Sequence, residues 1–265
     1  MSFTDATAVT PVGDGVFEAR IPPEWSFRGR PNGGFLLALA ARAALAATGR
    51  PHPLVVSGAF LRSPESGPAQ LRVEVLKAGK AATHTQVTVC QHDVAVLATQ
   101  VAAGELEQAE PSWVERPDPA PAPYEQCVPV PYRAGRTGLL ERLDMRYDPS
   151  AAPDLTGQSG DARIRGWVEF SDGSAPDALA AVLAADVLPP AVVNVGLAGW
   201  APTVHMTVYV RRVPAPGPLG VSVSARLAAG QWFDEVSDVY DSSGALVAQG
   251  RQLALVPRPP ADTGS

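Results

Sequence analysis

The chain has 265 residues, a formal net charge of −6, 27 prolines, 24 glycines and two cysteines. Its 46% hydrophobic and 18% charged residues suit one large or two small domains with a real core, and no apolar run reaches the roughly 18 to 20 residues of a bilayer helix. The acidic balance argues against nucleic acid and anionic lipid as partners, and MSFTDATAVTPVGDG lacks the marks of a secretory signal, so a cytoplasmic protein is expected.

Residues 15–22, GVFEARIP, alternate apolar and polar side chains as a strand does. The turn-rich SFRGRPNGG then gives way to FLLALAARAALAATG, whose leucine and alanine predict a helix from about Gly34 to Thr48 with Gly49 as its C-terminal cap. That helix is apolar almost all round and belongs inside a core. VVSGAFLRS, AQLRVEVLKAG, KAATHTQVTVCQH and VAVLATQVAAGEL follow as strands separated by turn signals. From about Glu110 to Tyr132 the composition turns to proline and acid, as in a semi-rigid linker.

The second half repeats the order. GLLERLDMRYDP and ARIRGWVEF read as strands, SDGSAPDALAAVLAADVLPP as a loop and helix, and VHMTVYVRR, LGVSVSARLAAG, FDEVSDVYDSS and ALVAQGRQLALV as four more strands. Pro64 and Pro214, Gly67 and Gly217, Pro68 and Pro218, Val73 and Val223, and Ala98 and Ala248 are each 150 apart, and Gly79 and Gly230 are 151 apart. An offset held so steadily indicates two copies of one unit. Each copy has strands with one apolar face and a single long apolar helix to cover them. The expected fold is therefore α+β, two tandem antiparallel sheets each wrapped around one long helix and able to pair edge to edge, with domains at 1–105 and 136–265 and a Pro-rich linker at 106–135.

These strings, in this order, resemble acyl-CoA thioesterases of the double-hotdog, type II kind. In the first copy the likeness rests on Pro31-Asn32-Gly33-Gly34 and on Ala59-Phe60-Leu61-Arg62 with Pro64. In the second it rests on Gly166-Trp167, Asp172-Gly173-Ser174 with Pro176-Asp177, Ala185-Asp186 with Leu188, Trp200-Ala201-Pro202-Thr203, and Leu246-Val247-Ala248 with Gln252. The resemblance implies hydrolysis of acyl-CoA, in fatty-acid metabolism, by a water held between an Asp, a Thr and a Gln, with no covalent acyl-enzyme, no metal and no organic cofactor. It carries those roles onto Asp186, expected in the second helix, Thr203 at a strand start, and Gln252 in the last strand.

The residue types suit that chemistry. A thioester carbonyl is activated enough for a positioned water with a carboxylate base, and the hydroxyl and amide supply orienting hydrogen bonds. Asn32, Gly33 and Gly34, at a helix N-terminus, are candidate oxyanion and substrate donors. Arg62 and Arg211 are candidates for the phosphates of coenzyme A, and the acyl chain is expected in an apolar channel between the halves. Two further readings stay open: an acyl-CoA or acyl-lipid binding protein that keeps the fold without turnover, and a hydratase or dehydratase.

His205 is expected on the same strand face as Thr203, where the family often has an Asp. Cys90 and Cys127 lack zinc or redox spacing and read as free thiols. Gly157-Gln158-Ser159-Gly160 fails the nucleophile-elbow pattern, and no phosphate loop is present. Unused strand edges invite further pairing, so a homodimer of the double unit is expected.

Overall fold

Asn32 opens the long helix, its Oδ1 accepting from the Phe35 N–H at 2.9 Å, and Gly49 closes it at φ 67°, where a Cβ would be strained. The helix, α2, runs Gly33–Thr48, and from Gly34 to Ala44 only Arg42 is not buried. It follows the short helix α1 (Phe3–Ala6). The computed structural model describes residues 1–114, 120–130, 138–154 and 156–257. Parts of the expected linker (115–119 and 131–135) and of the expected second domain (136–137, 155 and 258–265) lie outside them.

In the first half the strands are β1 (Thr10–Gly13), β2 (Val16–Ile21), the short pair β3 (Ser26–Phe27) and β4 (Arg30–Pro31), then β5 (His52–Phe60), β6 (Gly67–Ala78), β7 (Ala82–Gln91) and β8 (Val94–Gly104). The second half holds β9 (Val128–Pro129), helix α3 (Leu139–Arg142), β10 (Leu143–Tyr147), β11 (Arg163–Phe170), helix α4 (Ala178–Ala184), β12 (Thr203–Val210), β13 (Leu219–Ala229), β14 (Trp232–Tyr240) and β15 (Leu246–Leu255). Helix α2 packs on β5 to β8, α4 packs on β5, β12, β13 and β15, and the two helices pack on each other. Among the described residues no helix is long and apolar enough to cross a membrane. Cys90 and Cys127 are free and buried.

The two sheets join edge to edge: among the described residues thirteen strands make one continuous antiparallel sheet in the order β1-β2-β6-β7-β8-β5-β12-β15-β14-β13-β11-β10-β9. The seam is β5 against β12, two edges that would otherwise expose a row of unpaired backbone groups. The second helix is not long: α4 has seven residues and stops at Ala184, short of Asp186. Leu139–Arg142, read as the start of a strand, is helical; Leu, Glu and Arg are good helix formers, and Leu139 is buried. Near the linker's end, Trp167 Nε1 donates to the Ala122 carbonyl at 2.7 Å, the Ala122 N–H donates to Asp148 at 2.9 Å, and β9 pairs with β10.

The register carries the internal repeat through the sheet. Across the seam Thr207 pairs with Ser57, residues 150 apart, and their hydroxyls lie 2.8 Å from each other. A residue meets its own counterpart only on a two-fold axis, so a pseudo-two-fold passes between these side chains. The strand order reads alike outward on both sides, β5-β8-β7-β6-β2-β1 and β12-β15-β14-β13-β11-β10. In β8 and β15 the offset is 151: Val56 faces Val101 where Met206 faces Gln252. Leu97, rather than Ala98, is thus the counterpart of Ala248, since they face Phe60 and Val210.

Candidate active site

Asp177 caps α4, accepting from the Ala180 N–H at 2.8 Å. At the other end the Asp186 N–H donates to the Leu183 carbonyl at 3.0 Å in a final tight turn, ahead of Pro189 and Pro190. A carboxylate is poorly placed at its own helix's negative end. Asp186 instead reaches the positive end of α2. The Gly34 N–H donates to its Oδ2 at 2.8 Å, and Asn32 Nδ2 donates to the same oxygen at 3.2 Å and to the Asp186 carbonyl at 2.8 Å. Asn32 is thereby used at both ends, capping with its oxygen and gripping Asp186 with its nitrogen.

Burial pushes the Asp186 pKa up to about 6, against the pull of the Gly34 and Gly33 N–H groups and the Asn32 amide. The residue as a whole is half-buried. The Gly34 and Asn32 hydrogen bonds both fall on Oδ2, with the Gly33 N–H also acting on the carboxylate, so Oδ2 is the anchored oxygen and Oδ1 the one left to take a proton. The two helices approach too closely for any side chain: a Cβ on Gly34 would lie 2.8 Å from the Leu183 carbonyl oxygen, and one on Gly33 2.8 Å from Asp186 Oδ2.

Thr203 and His205 do not share a face. Thr203 pairs with Ala254 and His205 with Leu253, three residues against two, which is a β-bulge. The bulge turns Thr203 inward beside buried Ala254, while His205 is exposed on the outer surface with its Nε2 3.5 Å from Ser57 Oγ. Inside, the Thr203 hydroxyl donates to Gln252 Oε1 at 2.8 Å. Gln252 Nε2 donates to Glu235 Oε1 at 2.7 Å, and Glu235 Oε2 accepts the Ala191 N–H at 2.6 Å.

Glu235 is absent from the sequence candidates. It lies on β14 directly opposite Gln252 and is buried. Burial and the nearby Asp186 charge push its pKa up to about 7, against the pull of its Ala191 and Gln252 hydrogen bonds. The signal for it is in FDEVSDVY, whose alternation sets Glu235 in line with Phe233, Ser237 and Val239, all buried.

The other candidates divide. Asn32 and Gly34 reach the site, but Gly34's N–H is engaged by Asp186 rather than open to a substrate oxygen. Arg62 follows β5 at the end of the seam where Ala59 faces His205 and is exposed; nearby Ser63 accepts from Arg30 Nη1 at 3.3 Å, and Arg30 lies over the Trp200 ring at 5.3 Å. Arg211 follows the far end of β12, eight residues from Thr203, and is about 27 Å away at ~3.4 Å per residue. An apolar cavity of about 20 Å³ is lined by Leu143, Val168, Phe170, Leu183, Ala184 and Leu219, all second-half residues, so it lies behind α4 and not between the halves, where the acyl channel is expected.

The acyl-CoA thioesterase N-terminal domain family matches residues 21–103, and the acyl-CoA thioesterase C-terminal domain family matches residues 124–256. An uncharacterized protein of Mycobacterium tuberculosis is 32% identical, over 96% of this chain and 98% of its own length. A Thermobifida fusca YX structure assigned to thioesterase II is 36% identical, with TM-score 0.88 and 97% of each chain covered. A protein of Alicyclobacillus acidocaldarius with a hot dog fold, at 21% identity, has TM-score 0.86 over 97% of this chain and 98% of that one. With both family domains matched in order on either side of the seam, and a relative alike along its whole length, the chain belongs to the acyl-CoA thioesterase family.

Proposed function

We propose that the chain hydrolyses acyl-CoA to free acid and CoA by direct attack of water, as two domains, 1–105 and 136–265, joined by 106–135. The observation that carries this reading is the Asp186 carboxylate, anchored by one oxygen and open at the other, set inside the same fold as the Thr203–Gln252 pair. Because the Thr203 proton is given to Gln252, its oxygen is left as an acceptor. A water that donates one hydrogen to Thr203 and the other to Asp186 Oδ1 keeps a lone pair for the thioester carbon.

As that C–O bond forms, the water proton passes to Oδ1 and the carbonyl pair moves onto oxygen. Asp186 becomes neutral and its hold on the helix end weakens. The Gly33 and Gly34 N–H groups then turn to the new oxyanion, beside Asn32. Collapse breaks the C–S bond, and the thiolate recovers the proton from Asp186. Arg62, with Arg30, supports the CoA phosphates at the rim; Arg211 sits at the opposite end of β12.

Release of free thiol from short, medium and long acyl-CoAs tests this directly. Turnover is expected to be low below about pH 6 and to rise as the pH passes that value, because the base works ionised and its pKa is raised to about 6. Binding of acyl-CoA with no thiol above background would replace hydrolysis by the binding-protein reading.

A further inference from the structure

Glu235 is a second buried carboxyl group within the field of Asp186, and the water-holding set of Asp186, Thr203 and Gln252 leaves it without a task. Its two oxygens are both acceptors in use. One holds the Ala191 N–H, a backbone donor that cannot be reversed; the other holds Gln252 Nε2. An amide is otherwise free to flip, exchanging donor for acceptor. At Gln252 the choice is made by what stands behind it.

We infer that Glu235 is a positioning residue that sets the direction of the hydrogen-bond chain Thr203–Gln252–Glu235, so that Thr203 presents an acceptor to the attacking water. The inference rests on the hydrolytic reading above. With an ionised Glu235, Gln252 must give its N–H to the carboxylate and turn its oxygen to Thr203, whose proton is thereby spent. Reversed, Gln252 donates to Thr203, Thr203 donates to the water, and the water's lone pair is drawn away from the carbonyl carbon. Two strong hydrogen bonds survive either way. Only the polarity changes, and that is what a nucleophilic water is sensitive to.

Glu235→Gln isolates that difference. The side chain has nearly the same size, and its oxygen stays committed to the Ala191 N–H. Its NH2 then faces Gln252 and forces that amide over, reversing the chain without removing a link. The expected result is a loss of about 10- to 100-fold in kcat with KM changed little. The double variant Glu235→Gln/Gln252→Glu restores the original sense, because the amide introduced on β14 donates to the carboxylate introduced on β15, and that carboxylate accepts the Thr203 proton. It is expected to recover most of the lost kcat, which a role in packing alone does not predict.

A pH profile adds a reading that a structural role would not move. The groups facing Glu235 are Gln252 from β15, Ala225 from β13, the Ala191 N–H from the turn after α4, and the Asp186 charge; Asp186 is the one that titrates near it. A neutral Glu235 donates to Gln252 and reverses the chain, so wild-type kcat/KM should need two ionisations, titrating as a pair. Across the pair, wild-type log kcat/KM climbs with a slope above one, and in Glu235→Gln with a slope near one. Turnover of Glu235→Gln within about twofold of wild type, or no recovery in a folded double variant, overturns the inference.

Should wild type release no thiol, the hydrolytic reading fails by itself and the chain is judged by its nitrogen spectrum. The Gln252 side-chain amide, assigned by its absence in Gln252→Glu, is expected to shift with pH in wild type and to lie elsewhere, unmoved by pH, in Glu235→Gln. Identical positions in both proteins overturn the inference.

Discussion

Asp186→Asn is expected to lower thiol release by about 100-fold or more while leaving the protein folded. The asparagine oxygen can take the place of Oδ2 and keep the Gly34 and Asn32 hydrogen bonds, with its NH2 at the open position of Oδ1. What is lost is the group that takes the water proton. Thermal melts give an independent sign. Asp186 titrates higher in the folded chain, near 6, than its ordinary 3.8. Its contribution to stability is therefore full below about pH 4 and declines as pH rises through 6. Asparagine does not titrate, so the variant should gain on wild type between pH 4 and pH 8, by about 3 kcal/mol at most. Unchanged turnover, or a variant that loses ground at pH 8, would speak against a desolvated base at this position.

Gly34→Ala is expected to cost about 1–3 kcal/mol of stability and to lower kcat by about 10- to 100-fold. In an ordinary helix this exchange stabilises, by roughly 0.5–1 kcal/mol, since alanine has less freedom to lose. Here the new methyl meets the Leu183 carbonyl oxygen at 2.8 Å, Asp186 Cβ at 3.0 Å and Leu183 Cα at 3.1 Å. Two of those atoms are backbone, so no rotation of a side chain makes room. The N-terminus of α2 must move away from the end of α4, and the Gly34 N–H moves with it, off Asp186 Oδ2. Urea unfolding and thiol release read the two effects separately. A variant as stable as wild type would mean that the helices give way more readily than their packing allows.

Much of this arrangement is legible in the sequence because it is local. The Gly49 cap, the turn glycines and the alternation of strands such as TQVTVCQ follow from rules that act over a few residues. The offset of 150 carries the repeat further, since equal spacing needs no knowledge of contacts. What escapes depends on tertiary pairing. Nothing in Thr203-Val204-His205 marks a bulge; there is no glycine, and only the pairing with β15 reveals the extra residue. That the two sheets join at their edges follows from the need to cover unpaired strands, but that β5 and β12, about 150 residues apart in sequence, are those edges does not. Asp186 reads as helical because Ala-Ala-Asp continues a helical run, yet the chain turns at Leu183 ahead of two prolines. Glu235 is visible as an inward acid in an alternating strand, but its worth lies in Gln252 opposite and Ala191 above.

The pseudo-two-fold through Ser57 and Thr207 implies a mirror position for every group in the site. Register places Pro53 where Thr203 stands, Val101 where Gln252 stands and Thr85 where Glu235 stands. At the α4 end, the capping residue Asp177, counterpart of Asn32, is met by Arg42 at 3.4 Å, a cation where the working side has a carboxylate. The mirror position has thus been given over to holding the halves together. In a dimer of identical chains every change to one centre is imposed on its twin. A single chain escapes that constraint, and here one half has specialised in the helix end while the other supplies the acid, the hydroxyl and the amide. On the proposed mechanism the expected stoichiometry is one substrate per chain, with the other half of the symmetry serving as the frame.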